Sequence, residues 1–156
     1  MAKSEVKNTD WQSTLAKFET TLEDFFVKKL PGLPDSLKEF IVKISPWLSL
    51  IFLILSLPAI LFTLGFGTLL SPFAFLGGIK MGMSFGLGLV FTAITVVMEA
   101  LAIPGLFKRA MTGWRWLYWA ALVSGVQSIV SFNLGGLIIG TGISLYFLFQ
   151  IKSYYK

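Results

Sequence analysis

Apolar side chains recur every three or four residues near the start of the chain, first over residues 10–30 and again over residues 36–44. This spacing places them on one face of a helix, with the charged residues on the opposite face. Two prolines separate the segments within residues 30–34, and proline disfavours helix both at its own position and just before it. We therefore predict two cytoplasmic amphipathic helices joined by a turn. The apolar positions of the first are Trp11, Leu15, Phe18, Leu22 and Phe25.

Short local signals mark where helices begin. Thr9 and Ser36 are each followed three residues later by Gln or Glu, which is the pattern of a capping box. Ser45 precedes Pro46, and this pair is typical of a helix start because Ser caps a helix and Pro fits its first position. We therefore expect the second amphipathic helix to end near residue 44 and a new helix to begin at residue 46.

Beyond these helices the pattern becomes almost wholly apolar, in two uncharged runs at residues 44–79 and 116–151. A helix needs about 20 apolar residues to cross a membrane. We predict an all-α polytopic membrane protein, in which an amphipathic helical region, residues 1–45, precedes a four-helix transmembrane domain, residues 46–156. Residues 65–79 are expected to form an apolar loop that re-enters the membrane or lies on it. The predicted spans are residues 46–66, 80–103, 116–132 and 135–151.

The basic residues favour this number of spans. Of the 13 Lys and Arg, only Lys80 lies outside the N-terminal region, the turn after Pro104 and the C-terminal tail. Positive charges gather on the cytoplasmic side of membrane proteins, so four spans place both termini in the cytoplasm. Two spans within residues 44–79 would move the turn after Pro104 to the opposite side, and we therefore predict one span there.

Composition supports a membrane protein and excludes several kinds of active site and metal site. Hydrophobic residues make up 55% of the chain, and the mean hydropathy is +0.77. The absence of His and Cys removes the usual metal ligands and the Cys/His and Ser/His/Asp arrangements. We therefore expect no enzyme activity, no metal and no cofactor. The lipid bilayer is the expected partner and nucleic acid is not, because the basic residues are not interleaved with aromatic side chains.

Small residues within the spans predict where helices touch. Gly78, Gly82 and Gly86 lie on one face of the second span, and Gly136 and Gly140 repeat the same spacing on the fourth. Small side chains let membrane helices approach closely, so we expect the two glycine series to pair as a glycine zipper. Pairing within one subunit and pairing between subunits both stay open.

Polar side chains form a second stripe on the second span, which leads to Glu99. Hydrogen bonds between such side chains hold membrane helices together, and the same stripe could equally be a polar path for a solute. The stripe consists of Ser84, Thr92 and Thr95, and the matching positions on the third span are Ser124 and Gln127.

Glu99 is the one acidic residue of the predicted transmembrane domain. An ionised side chain at the centre of a span raises the free energy of membrane insertion by about 2.5–3.5 kcal/mol. Such a residue is therefore a candidate for a functional role. Two interpretations stay open. Either Glu99 forms a salt bridge with Arg109 or Arg115 near the cytoplasmic boundary, or it binds a proton or an ion as part of a transport path.

Two function classes follow from these features. The first is a non-enzymatic structural or interaction module of the inner membrane, in which residues 10–44 bind a protein partner or a second copy. The alternative is a small transporter or channel subunit whose polar stripe ends at Glu99.

Aromatic residues are concentrated in residues 113–156, on both sides of the glycine turn that follows Asn133. The segment that opens this region is Gly113-Trp114-Arg115-Trp116-Leu117-Tyr118-Trp119. Together with residues 145–156 it resembles small four-span bacterial inner-membrane proteins of unassigned function. The resemblance implies an inner-membrane location and no mechanism.

Overall fold

The computed structural model describes the backbone of residues 2–156 and the side chains of residues 10–156. The described backbone is helical and contains no strand. A π-helical turn, Asp24–Lys29, extends the first helix, and another, Gly136–Gly142, leads into the last. The α-helices are α1 (Ala2–Glu23), α2 (Asp35–Ala74), α3 (Ile79–Phe107), α4 (Met111–Val130) and α5 (Ile143–Ile151).

Three helical segments of the described chain are long and apolar enough to cross a membrane, namely Asp35–Gly77, Ile79–Phe107 and Gly136–Tyr154. The last, called the C-terminal segment below, combines a π-helical turn, α5 and a short 3-10 turn. Helix α4 is not among the three, and it packs between α3 and the C-terminal segment. The all-helical class, with helices suited to a membrane, is therefore confirmed.

The N-terminal helix begins earlier than predicted. The backbone is helical from Ala2, so a helix start at Thr9 is wrong, and the Thr9 side chain lies outside the described side chains. The helix predicted at residues 10–30 is otherwise present, and it ends with the π-helical turn at Lys29. Residues 30–34 form the predicted non-helical turn.

Helix α2 joins three elements that we predicted to be separate. It is one helix of 40 residues, which contains the helix predicted at residues 36–44, the span predicted at 46–66 and most of the loop predicted at 65–79. The predicted break at residue 45 and the predicted loop are therefore wrong. The chain turns only after a 3-10 turn, Phe75–Gly77, at Gly78, whose φ of 103° suits glycine.

The serine before a proline explains why α2 continues. Pro46 has no N–H for the carbonyl of Val42, four residues earlier. The Ser45 hydroxyl donates to that carbonyl instead, at 3.3 Å. The next Ser-Pro pair repeats the arrangement, with the Ser71 hydroxyl donating to the Thr68 carbonyl at 2.8 Å. A Ser-Pro pair therefore continues the helix here, where we expected it to begin one.

The remaining helices lie close to their predicted positions. Helix α3 covers the span predicted at residues 80–103, but it passes through Pro104 and ends at Phe107, so the predicted end at Pro104 is wrong. Helix α4 covers most of residues 116–132 and begins earlier, at Met111. The C-terminal segment covers the helix predicted at residues 135–151.

Two glycines outside the predicted zipper form a close helix crossing. Gly105 of α3 lies against Gly113 of α4, and a Cβ on Gly113 would lie 2.5 Å from backbone atoms of Gly105 and Leu106. The two helices therefore pack backbone to backbone, as small residues permit in membrane proteins.

The predicted glycine zipper is not formed within one chain. The atoms nearest to a Cβ on Gly82 belong to Phe75, and those nearest to a Cβ on Gly136 belong to Asn133. A Cβ on the other three would meet no atom within 4 Å, and these are Gly78, Gly86 and Gly140. The version that pairs these glycines between subunits stays a prediction.

Trp114 joins α4 to α5 at the centre of the core. Its side chain is fully buried, and its indole N–H donates to the Leu148 carbonyl at 2.7 Å. That carbonyl lies in the last turn of α5, where backbone acceptors lack partners within the helix. The ring also stacks on Tyr118 and contacts Phe149 at a steep angle.

The C-terminus closes one end of the helix bundle. The Tyr155 hydroxyl, whose pKa is raised by burial, lies 3.1 Å from the Ser45 hydroxyl of α2. The Lys156 N–H donates to the Arg109 carbonyl at 3.0 Å, and the Met111 N–H donates to the Lys156 carbonyl at 2.7 Å. The start of α2, the turn between α3 and α4, and the C-terminus therefore lie at the same end.

Gln150 holds the N-terminal region on the C-terminal segment. Its Nε2 donates to the Phe26 carbonyl at 3.1 Å, and its Oε1 accepts from the Leu33 N–H at 3.3 Å. Phe26 lies five residues before Pro31, which has no N–H to donate in the π-helical register. The buried amide of Gln150 therefore supplies the donor that the proline cannot.

Lys152 and Tyr146 strengthen this docking. Lys152 Nζ lies 2.9 Å from a Glu19 carboxylate oxygen and 2.6 Å from one of Glu23. The Tyr146 hydroxyl donates to the Pro31 carbonyl at 2.6 Å. The N-terminal helix is thus bound to its own chain by polar contacts.

The Gly113→Ala substitution should destabilise the protein by about 1–3 kcal/mol, because the added Cβ overlaps the α3 backbone and forces the helices apart. Gly86→Ala is the matched control, since its Cβ meets open space and Ala favours helix more than Gly does. Thermal unfolding in detergent micelles measures both variants. Equal midpoints would contradict the close crossing.

The Gln150→Leu substitution should leave the buried Phe26 carbonyl without a donor, at a cost of about 1–3 kcal/mol, and should also remove the acceptor of the partly buried Leu33 N–H. We expect faster hydrogen exchange in residues 24–33 and no change in α4. Gln127→Leu removes the same amide from α4, away from this contact, and serves as the control. Unchanged exchange in residues 24–33 would show that Gln150 does not hold this segment.

Candidate binding cleft

A cleft opens between α2, α3, α4 and the C-terminal segment. It consists of two adjoining cavities of about 400 and 600 Å³. These volumes are in the range of sites that bind small organic molecules. The residues that line both cavities are Leu48, Ser49, Phe52, Glu99 and Leu117.

Hydroxyl side chains line the cleft on three sides. Helix α2 contributes two that are seven residues apart, α4 contributes two that are four apart, and the C-terminal segment contributes two that are three apart. Each spacing keeps both side chains on one face of their helix. The six residues are Ser49, Ser56, Ser124, Ser128, Thr141 and Ser144.

The rest of the lining is mainly apolar. Leu53 and Ile60 of α2 form part of the wall. Leu48 and Phe52 of α2 and Phe147 of the C-terminal segment line the cleft and are also exposed. The cleft therefore opens sideways, between α2 and the C-terminal segment.

Glu99 is the one charged residue in the lining of this cleft. It lies eight residues before the last residue of α3, which is about 12 Å along the helix. Glu99 is exposed, and no described basic side chain pairs with it, since the ion pairs of the described residues lie within residues 24–38 and at Lys152. The salt bridge expected with Arg109 or Arg115 is therefore not formed, and both arginines are exposed.

The predicted polar stripe divides in two. Glu99 and Ser124 line the cleft together. The hydroxyls of Thr92 and Thr95 donate instead to carbonyls of their own helix, those of Gly88 and Phe91, both at 2.9 Å. Ser84 is exposed and Gln127 is half-buried, and neither belongs to the cleft lining.

One hydroxyl in the cleft wall lacks a partner. Thr141 is 8% exposed, and its Oγ1 has no hydrogen-bond partner within the described part of the chain. Burial of an unpaired polar group costs about 1–3 kcal/mol. This cost falls on the fold, because the Oγ1 atom itself is buried and is not open to the cleft.

The contributions of α2 and of the C-terminal segment to the cleft are absent from the predicted stripe. That stripe includes Glu99 and Ser124, but it lacks Ser49 and Ser56 of α2 and Thr141 and Ser144 of the C-terminal segment. For Ser49 and Ser56 a signal was present. Their spacing of seven residues in an uncharged run was the available signal, since it places both hydroxyls on one helix face.

The fold and the cleft define an all-helical protein with membrane-compatible helices around an open cleft, which is lined by apolar side chains, hydroxyl residues and Glu99. No protein family, curated protein or solved structure matches the chain. The resemblance of residues 113–156 to small bacterial inner-membrane proteins stays a prediction.

Proposed function

We propose that the protein crosses an inner membrane four times and has both termini in the cytoplasm. The parity of the crossings supports this number. Ser45 near the start of α2 contacts Tyr155 near the C-terminus, and an even number of crossings between them fits this contact. Three segments are apolar enough to cross on their own. Helix α4, with 20 residues, is long enough to be the fourth, and its packing between two spans shields it from lipid.

The charges at the closed end of the bundle support the cytoplasmic orientation. Lys108, Arg109 and Arg115 lie in or beside the turn between α3 and α4, and Lys152 and Lys156 lie at the C-terminus. Basic residues near the ends of spans mark the cytoplasmic side. The resemblance of residues 113–156 to small bacterial inner-membrane proteins supports an inner-membrane location.

The protein acts as a small transport protein, or as a subunit of one, in which Glu99 binds a proton or a cation. The observation that carries this proposal is that Glu99 lines the cleft without a basic partner among the described side chains. A carboxylate within a span is costly unless its charge is compensated. Here a proton or a cation supplies the compensation that no described arginine or lysine provides.

An interaction module is the second candidate function. Gln150 and Lys152 bind one part of the N-terminal helix, so that part is not free to bind another protein. Trp11 is nevertheless 65% exposed and Phe18 is 48% exposed. This apolar surface favours binding of a second copy or another protein through residues 10–44.

Single cysteines test the number of spans, because the chain has no native Cys. In oriented vesicles we expect a membrane-impermeant maleimide to label Leu76→Cys and Leu134→Cys from the external side, and Lys108→Cys only from the cytoplasmic side. Leu76 and Leu134 are highly exposed at helix ends, so labelling reports their side of the membrane and not burial. Labelling of Leu134→Cys and Lys108→Cys from the same side would contradict four spans.

The Glu99→Gln substitution should abolish proton or cation flux into reconstituted vesicles, followed with a pH-sensitive or cation-sensitive dye. The unfolding midpoint should stay equal or rise, because the change removes an uncompensated charge and keeps the side-chain shape. Arg115→Gln is the matched control, since it would reproduce the effect if Glu99 acted through a salt bridge, and we expect its flux to be unchanged. Flux that persists in a stable Glu99→Gln protein would overturn the transport role of Glu99.

A further inference from the structure

We infer that the ligand of the cleft is an amphipathic organic cation that reaches Glu99 from the lipid phase. This inference rests on the proposed transport function and names its substrate class. The observations behind it are the charge of the lining, the volume of the cleft, the distribution of apolar side chains, and the side on which the cleft opens.

The charge of the lining selects a cation. Glu99 is the one charged residue among the lining residues, and none of them is Lys or Arg. The six hydroxyl residues add oxygen acceptors around the same space. An anion would find no basic partner there, whereas a cation brings the charge that Glu99 lacks.

The volume selects an organic molecule over a metal ion. The two cavities measure about 400 and 600 Å³, while a water molecule occupies about 30 Å³ in the liquid. A divalent metal ion needs several oxygen ligands at short range. The described residues contain no group of three or more acidic, His or Cys side chains that could hold one.

The apolar walls select a ligand with an apolar body. Leu53 and Ile60 lie along one wall, and Phe52 and Phe147 lie beside the opening. Apolar side chains bind the hydrocarbon part of a ligand, and aromatic ring faces attract cations. Glu99 and the hydroxyl residues of the lining then bind the polar head.

The sideways opening indicates entry from the membrane. Leu48, Phe52 and Phe147 are exposed and lie in two segments that are apolar enough to cross a membrane, and lipid surrounds such segments in the proposed four-span protein. A lipid headgroup is a poor occupant, because its ammonium group is attached to a phosphate and the lining offers no basic side chain for it. A freely diffusing cation without a phosphate fits the lining.

The test compares tetraphenylphosphonium with its anionic counterpart of the same shape, tetraphenylborate. Binding to the full chain in phosphatidylcholine nanodiscs is measured by equilibrium dialysis, relative to protein-free nanodiscs. We expect saturable binding of the phosphonium and none of the borate. Tetramethylammonium, which has the charge without the large apolar body, should bind at least about tenfold more weakly than the phosphonium.

Two variants locate the binding. Glu99→Gln should weaken phosphonium binding at least about tenfold, because it removes the charge partner. Gly140→Leu should do the same by filling the cleft, since Gly140 lines the larger cavity and a Cβ there meets open space. Gly86→Leu is the matched control, because Gly86 also has open space at its Cβ but lies outside the cleft lining, and its binding should equal that of the wild type.

The outcomes separate this inference from the proposed function. Equal binding of phosphonium and borate, or phosphonium binding unchanged in Glu99→Gln, would overturn the ligand class. If Glu99→Gln still abolished proton or inorganic-cation flux in that case, the transport role of Glu99 would stand without this substrate. Phosphonium binding that depends on Glu99 and Gly140, in a protein without any flux, would support the binding site and overturn transport.

Discussion

The fully buried indole of Trp114 is the contact on which the arrangement of the helices depends. It bonds the last turn of α5, stacks on Tyr118 and lies beside Phe149, which in turn stacks on Phe26 of the N-terminal region. A large aromatic side chain with a satisfied N–H combines extensive apolar burial with a fixed direction. The cluster therefore fixes the positions of α4, α5 and the N-terminal region relative to one another along the bundle. The cleft begins three residues after Trp114 on α4, at Leu117. The Trp114 contact therefore also helps to set the distance between the helices that line the cleft.

Helix content and the approximate positions of the last three helices could be predicted, because long apolar runs and clustered charges are robust signals. The length of α2 could not be predicted, because a Ser-Pro pair is compatible with two local structures. A serine before a proline can cap a new helix, or its hydroxyl can occupy the carbonyl that the proline leaves without a donor. Ser45 and Ser71 do the latter. The choice between a new helix and a continued helix depends on the packing of the whole helix, which local sequence does not report.

The candidate site was predictable only in part, for a related reason. Periodicity gives the residues that share one face of a helix, but it does not give the rotation or height of that helix against its neighbours. Thr92 and Thr95 share a stripe with Glu99 in sequence, yet their hydroxyls bond within α3. Ser49 and Ser56 share one face of α2 in sequence, but their spacing does not show that this face meets Glu99. The glycines show the same limit, because contact between Gly105 and Gly113 depends on where two helices cross.

The charge of Glu99 is a cost to the fold. A folded domain has a net stability of only about 5–15 kcal/mol, and an ionised carboxylate at the centre of a span costs about 2.5–3.5 kcal/mol of such a margin. Glu99 lies between the centre and the end of α3, so its own cost is a fraction of that value. Glu99 contributes no described ion pair in return, and the buried hydroxyl of Thr141 adds a second unsatisfied group in the same cleft wall. In the proposed function a proton or a cation compensates the Glu99 carboxylate, so the group that the described fold leaves without an ion pair is the group that binds.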